Sequence, residues 1–121
     1  MTYDDYNHFC ESLTGTSHVI QWGGCHVWKV GGKVFAIGGW GDDGEPAFTF
    51  KASDLNFNVL KDEPGFRGAP YMASRGLKWI QQTDASPERD EALLYYLGES
   101  YKMVAAGLSK KLQRELGLLA D

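Results

Sequence analysis

The run Cys25-His26-Val27-Trp28-Lys29-Val30-Gly31-Gly32-Lys33-Val34-Phe35-Ala36-Ile37 decides the fold class. Two adjacent glycines accept the positive φ angles that a type I′ turn demands, and the runs on either side are rich in β-branched and aromatic residues. The flanks therefore pair as an antiparallel hairpin. Counting back from a two-residue turn sets Val30 opposite Lys33, Trp28 opposite Phe35 and His26 opposite Ile37. The predicted inward face of His26, Trp28, Val30, Phe35 and Ile37 is bulky and needs helices against it. The other face, with Cys25, Val27, Lys29, Val34 and Ala36, is smaller and can border solvent.

Upstream, Thr2 caps a first helix with Asp5 in the capping-box position, and Tyr3, Tyr6, Phe9, Cys10 and Leu13 fall on one stripe at 3.6-residue spacing. Gly15 ends it, and residues 17–22 read as a strand interrupted at Gly23-Gly24. Downstream, a glycine-rich acidic loop (38–46) leads to a strand over 47–51. Ser53 is an N-cap for a helix over 54–61, although Leu55, Phe57 and Val59 also alternate with the period of a strand. Pro64-Gly65 breaks the chain, and 66–69 and 77–82 read as two further strands joined through Pro70-Tyr71. Ser86-Pro87-Glu88 starts a helix reaching about Leu97, which resumes or continues beyond Gly98 to Leu116. The order is α-β(3-4)-α-β(2)-α, an α+β sequence of elements without repeat or long linker, so residues 1–121 form one domain.

The bulk composition fits that reading and excludes several functions. With 43% hydrophobic and 23% charged residues the chain can build a core. No run approaches a membrane span and the first residues lack the pattern of a signal peptide, so the expected compartment is the cytoplasm and no membrane partner is expected. Cys10 and Cys25 have no CxxC spacing, which argues against a disulfide framework or structural zinc. At a net charge of −4 the whole molecule does not attract nucleic acid, so any such binding must come from a local patch.

Arg67, Tyr71, Arg75, Lys78 and Trp79 supply such a patch, because cations neutralise phosphate and aromatic rings stack on bases. Tyr71 and Trp79 serve equally as core residues with cations over their edges. Gly39-Trp40-Gly41-Asp42-Asp43-Gly44 matches GxGxxG, but a strand follows it where a dinucleotide site needs a helix N-terminus, and its carboxylates repel phosphate. The acidic turn has no EF-hand spacing. His8, His18 and His26 have no spacing that makes them ligands or bases with Cys10 or Cys25. No nucleophile elbow, P-loop or HExxH is present, so binding is favoured over catalysis, with no catalytic residue, metal or cofactor assigned.

Several of these segments together resemble the MmcQ/YjbR family: Trp22-Gly23, Val27 to Ala36, Phe48 to Lys51, Pro64 to Tyr71, Lys78-Trp79, and Glu99-Ser100-Tyr101, in family order over nearly the whole chain. The resemblance implies a two-layer α+β sandwich like that of CyaY and secretion chaperones, with an antiparallel sheet of about five strands backed by helices and with residues 54–61 helical. It further implies a small cytoplasmic protein without known enzymatic activity, of a type described as "double-wing" and predicted to bind DNA. Carried onto this chain, the wings are the Gly31-Gly32 hairpin with Lys29 and Lys33, and the 66–81 region with Arg67, Arg75 and Lys78. The resulting expectation is a non-enzymatic binding module with DNA as first ligand. The alternatives are a protein-interaction or self-associating domain, then an enzyme or small-molecule binder using His26, Tyr71 or Trp79 in a pocket.

Overall fold

A computed structural model of the chain describes residues 1–42 and 44–119. The first helix, α1 (Tyr3–Ser12), has the anticipated capping box: Thr2 accepts from the Asp5 backbone N–H at 3.1 Å and Asp5 accepts from that of Thr2. It is followed by strands β1 (Thr16–Gln21), β2 (Cys25–Val30), β3 (Lys33–Gly38) and β4 (Phe48–Lys51). Helix α2 (Asp54–Leu60), capped by the Ser53 hydroxyl, confirms the helical reading of that segment. Strands β5 (Phe66–Gly68) and β6 (Trp79–Gln82) precede α3 (Asp90–Ala106) and α4 (Lys110–Glu115). One antiparallel sheet of six strands results, in the order β1-β2-β3-β4-β6-β5.

The hairpin forms as expected at its turn, where Gly31 and Gly32 take φ of +57° and +83° and Val30 pairs with Lys33. Beyond that rung the register departs from the simple count. Lys29 pairs with Val34, but Trp28 pairs with Ala36 and His26 with Gly38, so Phe35 is an extra residue in a β-bulge. Phe35 and Ala36 both join the core under the helices, while Ile37 crosses to the opposite face beside Val27. The predicted placements of Ile37 and Ala36 are thereby exchanged.

The bulge is held by α3. Ser100 is wholly buried, and its hydroxyl donates to the Phe35 carbonyl (2.7 Å) while accepting from the Lys51 N–H (2.9 Å). The hydroxyl thus replaces the rung that β3 and β4 would otherwise make beyond the Ala36–Phe50 pair. Around it, Tyr6, Phe35, Phe48, Phe50, Leu93 and Leu97 are fully buried between the sheet and α1 and α3. Each such side chain contributes about 1.5–3 kcal/mol over leaving it exposed.

The C-terminal helical region also differs in detail from expectation. Pro87–Arg89 is a 3-10 turn, and the Ser86 side chain makes no cap; its backbone N–H instead donates to Asp84 at 3.0 Å. Helix α3 continues through Gly98 and stops at Gly107, after which Ser109 caps α4 by accepting from the Leu112 N–H. Among the described residues no helix is long and apolar enough to cross a membrane.

Candidate binding face

Because strand side chains alternate, the face of the sheet away from α1 and α3 carries Val27 and Lys29 of β2, Val34 and Ile37 of β3, Thr49 and Lys51 of β4, Gln81 and Trp79 of β6 and Arg67 of β5. Two loops lie over part of it. The loop from Gly39 to Ala47 is closed by the Gly39 N–H donating to the Ala47 carbonyl at 2.9 Å. Gln81, fully buried, donates its amide to the Gly39 and Trp40 carbonyls at 3.2 Å each. Its oxygen accepts from Arg67 Nε at 2.6 Å, and Arg67 also meets Asp42 at 3.4 Å. The second loop, residues 69–78, contains a 3-10 turn (Ala73–Arg75) ended by Gly76 at φ +78°. Met72 and Trp40 from these loops cover Cys25, Val27 and Ile37. A small second core therefore fixes both loops.

Between the loops and the β1–β2 turn runs a groove of about 550 Å³ lined by Trp22, Trp40, Tyr71, Met72, Arg75 and Leu77. Trp22 and Trp40 are stacked with centroids 5.8 Å apart, and Tyr71 meets Trp40 edge-on at 5.6 Å. Trp22 and Tyr71 are 49% and 73% exposed, more than packing of large rings normally leaves. The backbone adds a second peculiarity. Trp22, Trp40 and Tyr71, at φ of +53°, +61° and +67°, are the non-glycine residues with positive φ among those described. Left-handed backbone costs a residue with a Cβ about 1–2 kcal/mol, and such strain gathers where function requires a side chain in a particular place.

A second groove of about 290 Å³ lies where the ends of β3, β4 and β6 meet the C-terminal end of α3, lined by Lys33, Val34, Lys51, Trp79, Met103 and Gly107 among others. Trp79 thus belongs to a different groove from Tyr71. Of the cations expected to form a patch, Lys29 lies on the open face, Lys33 at the second groove and Arg75 at the first. Arg67 is engaged by Gln81 and Asp42. Lys78 departs from the group: its ammonium sits over the Phe57 ring of α2, 5.2 Å from the centroid. Two contributors escape sequence reading. Lys51 is placed by its pairing with Trp79, and Trp22 by the turn geometry of Gly23 and Gly24. Among the described residues Lys29, Lys33, Lys51 and Arg75 have no ion-pair partner. The hairpin is not a free wing, since a Cβ at Gly31 would lie 2.6 Å from Leu108 Cδ1.

The histidines form a separate cluster on the helix side. His18 Nε2 lies 3.3 Å from His26 Nδ1, His18 stacks on Trp28 at 4.7 Å, and Asn7 accepts from the Trp28 indole at 2.9 Å. His8 is exposed on α1. Cys10 and Cys25 are buried in separate clusters, and burial raises both thiols above their ordinary pKa, which disfavours the thiolate needed by a nucleophile. Among the described residues no three His, Cys, Asp or Glu side chains gather as a metal site. The GxGxxG segment, of which Asp43 lies outside the described residues, is followed by β4 and has no helix to receive a pyrophosphate.

Comparison with known proteins agrees with this architecture. The crystal structure of Deinococcus radiodurans protein DR2400, a DUF419 protein, superposes with a TM-score of 0.79 at 23% identity, covering 98% of this chain and 89% of that one. No curated protein matches in sequence. The YjbR family model matches residues 11–103, a span that takes in β1 to β6 and most of α3. With that span matched and the sheet and helices in place, the chain belongs to the YjbR family.

Proposed function

We propose that this chain is a non-enzymatic binding module that takes single-stranded nucleic acid across the open face of its sheet. A base stacks on the Trp22, Trp40 and Tyr71 rings, and the phosphates that follow meet Arg75 and Lys29 and then, where the strand ends meet α3, Lys33 and Lys51, with Trp79 offering a second ring. The observation that carries the reading is the coincidence of three aromatic residues, all at positive φ and with two of them largely exposed, on one groove beside an arginine. Packing accounts for Trp40, which covers the small second core, but not for the strain at the exposed Trp22 and Tyr71. Extruded bases offer a π face to any aromatic platform, so the mode tolerates many sequences.

The overall negative charge opposes the ligand at long range, so binding is weak and falls steeply with salt. Titration of oligothymidylate at low ionic strength, followed by tryptophan fluorescence, tests the proposal. Trp22→Gly keeps the backbone geometry and removes the ring; it should weaken binding by about 1–3 kcal/mol. Arg75→Ala should lower affinity and flatten the logarithmic salt slope by roughly 0.7, the share of one phosphate contact on a single strand. Absence of binding at low salt, or binding indifferent to both substitutions, overturns the reading.

A further inference from the structure

The two edges of the sheet are built differently. At one edge, β5 is three residues long and carries Arg67, and α2 packs beside it. At the other edge, β1 runs for six residues, Thr-Ser-His-Val-Ile-Gln, paired with β2 in unbroken register. It has no lysine, arginine, acid, proline or bulge, the devices that normally keep an open edge from pairing. Val19 and Ile20 are 36% and 53% exposed on its two faces. Among the described residues no backbone hydrogen bond from another segment reaches 16–21 on the side away from β2.

We propose that β1 joins two copies of this chain into a symmetric dimer with one continuous sheet of twelve strands. The occupant is a second copy because the strand matches itself. Antiparallel neighbours related by a two-fold axis keep the same face of the sheet on the same side, so paired residue numbers must sum to an even value. A sum of 38 puts Val19 against its own counterpart, His18 against Ile20, and Ser17 against Gln21. Val19 then covers its own counterpart on one face, Ile20 lies against the flat His18 ring on the other, and the Ser17–Gln21 pair lies outermost. A sum of 36 would instead oppose His18 to His18 and leave Val19 against Ser17. The strand carries no formal charge, so the net charge of −4 on each copy is not concentrated at the junction. The same symmetry brings both aromatic grooves to one side of the extended sheet, since Trp22 follows directly on β1.

Sedimentation equilibrium over a wide range of protein concentration is the test. The unaltered chain should move from monomer towards twice the monomer mass as concentration rises. Val19→Lys combined with Ile20→Lys should stay monomeric throughout, with far-UV circular dichroism and cooperative unfolding retained because both positions are exposed. Val19→Cys should give a covalent dimer on mild oxidation, since the residue sits on the two-fold axis. A monomer at every concentration, a dimer unmoved by the two lysines, or a dimer abolished by Trp22→Gly and not by the lysines overturns the proposal. In the last case the groove is the contact.

Discussion

Tyr71 carries a ring that is 73% exposed on a backbone held at φ +67°. A ring so exposed gains little from burial, and the left-handed backbone costs about 1–2 kcal/mol. Glycine would adopt that backbone without strain, although it gives back up to about 1 kcal/mol through the freedom of the unfolded chain. Tyr71→Gly should therefore leave the urea midpoint almost unchanged while weakening ligand binding by about 1–3 kcal/mol. A fall in stability by the amount typical of a buried aromatic would show that the ring serves the fold. Tyr71 and Arg75 are legible as candidates because an aromatic ring and a cation lie close in sequence, and both line the first groove. Trp22 is not legible, since no local pattern marks an aromatic residue for positive φ, and Trp22-Gly23-Gly24 reads as the end of a strand. Trp79 is legible as a ring but not as a member of another groove, because that depends on which strand β6 joins.

Among the elements, the hairpin separates what local sequence determines from what packing adds. Gly31-Gly32 gives the turn and its first rung, since positive φ is a local requirement. The bulge at Phe35 is a tertiary decision: Phe35 and Ala36 both turn towards the helices, and the Ser100 hydroxyl on α3 takes up the Phe35 carbonyl and the Lys51 N–H. Ser100→Ala removes the hydroxyl at a wholly buried position and leaves the Phe35 carbonyl and the Lys51 N–H without it. We expect a loss of about 1–3 kcal/mol in chemical denaturation, the desolvation cost of a buried polar group without a partner. An unchanged midpoint would mean that β3 and β4 close the missing rung directly. The same tie explains why Glu99-Ser100-Tyr101 stands out as a motif: Ser100 fixes the bulge, and Tyr101 meets Phe35 edge-on at 5.4 Å. Periodicity alone left 54–61 undecided between helix and strand, and the Ser53 hydroxyl, which caps the helix, is the local term that agrees with the outcome.

For the whole molecule, charge and titration give a further consequence. The His18–His26 contact joins the edge strand to the rest of the sheet while Trp28 stacks on His18. His18 is held below its ordinary pKa of 6.5, chiefly by desolvation and then by His26, with Glu11 acting in the opposite sense. When a histidine pKa is lowered on folding, the unfolded chain takes up the proton first. Stability is then at its full value above the unfolded pKa and declines as pH falls through the folded one. Asp84 is also depressed, by the hydrogen bonds from Ser86 and then Arg89, so its contribution is complete above the unfolded carboxylate value of 3.8 and is lost as pH falls further. Two separate windows follow. Thermal midpoints measured from pH 8 downwards should begin to fall near pH 6.5, by a small step because His18 is solvent-exposed, and should fall again below about pH 4. His18→Gln should remove the first step and leave the second, and Asp84→Asn should do the reverse. If the first step survives in His18→Gln, the histidine contact between β1 and β2 does not control the acid response, and another titrating group holds the edge strand in place.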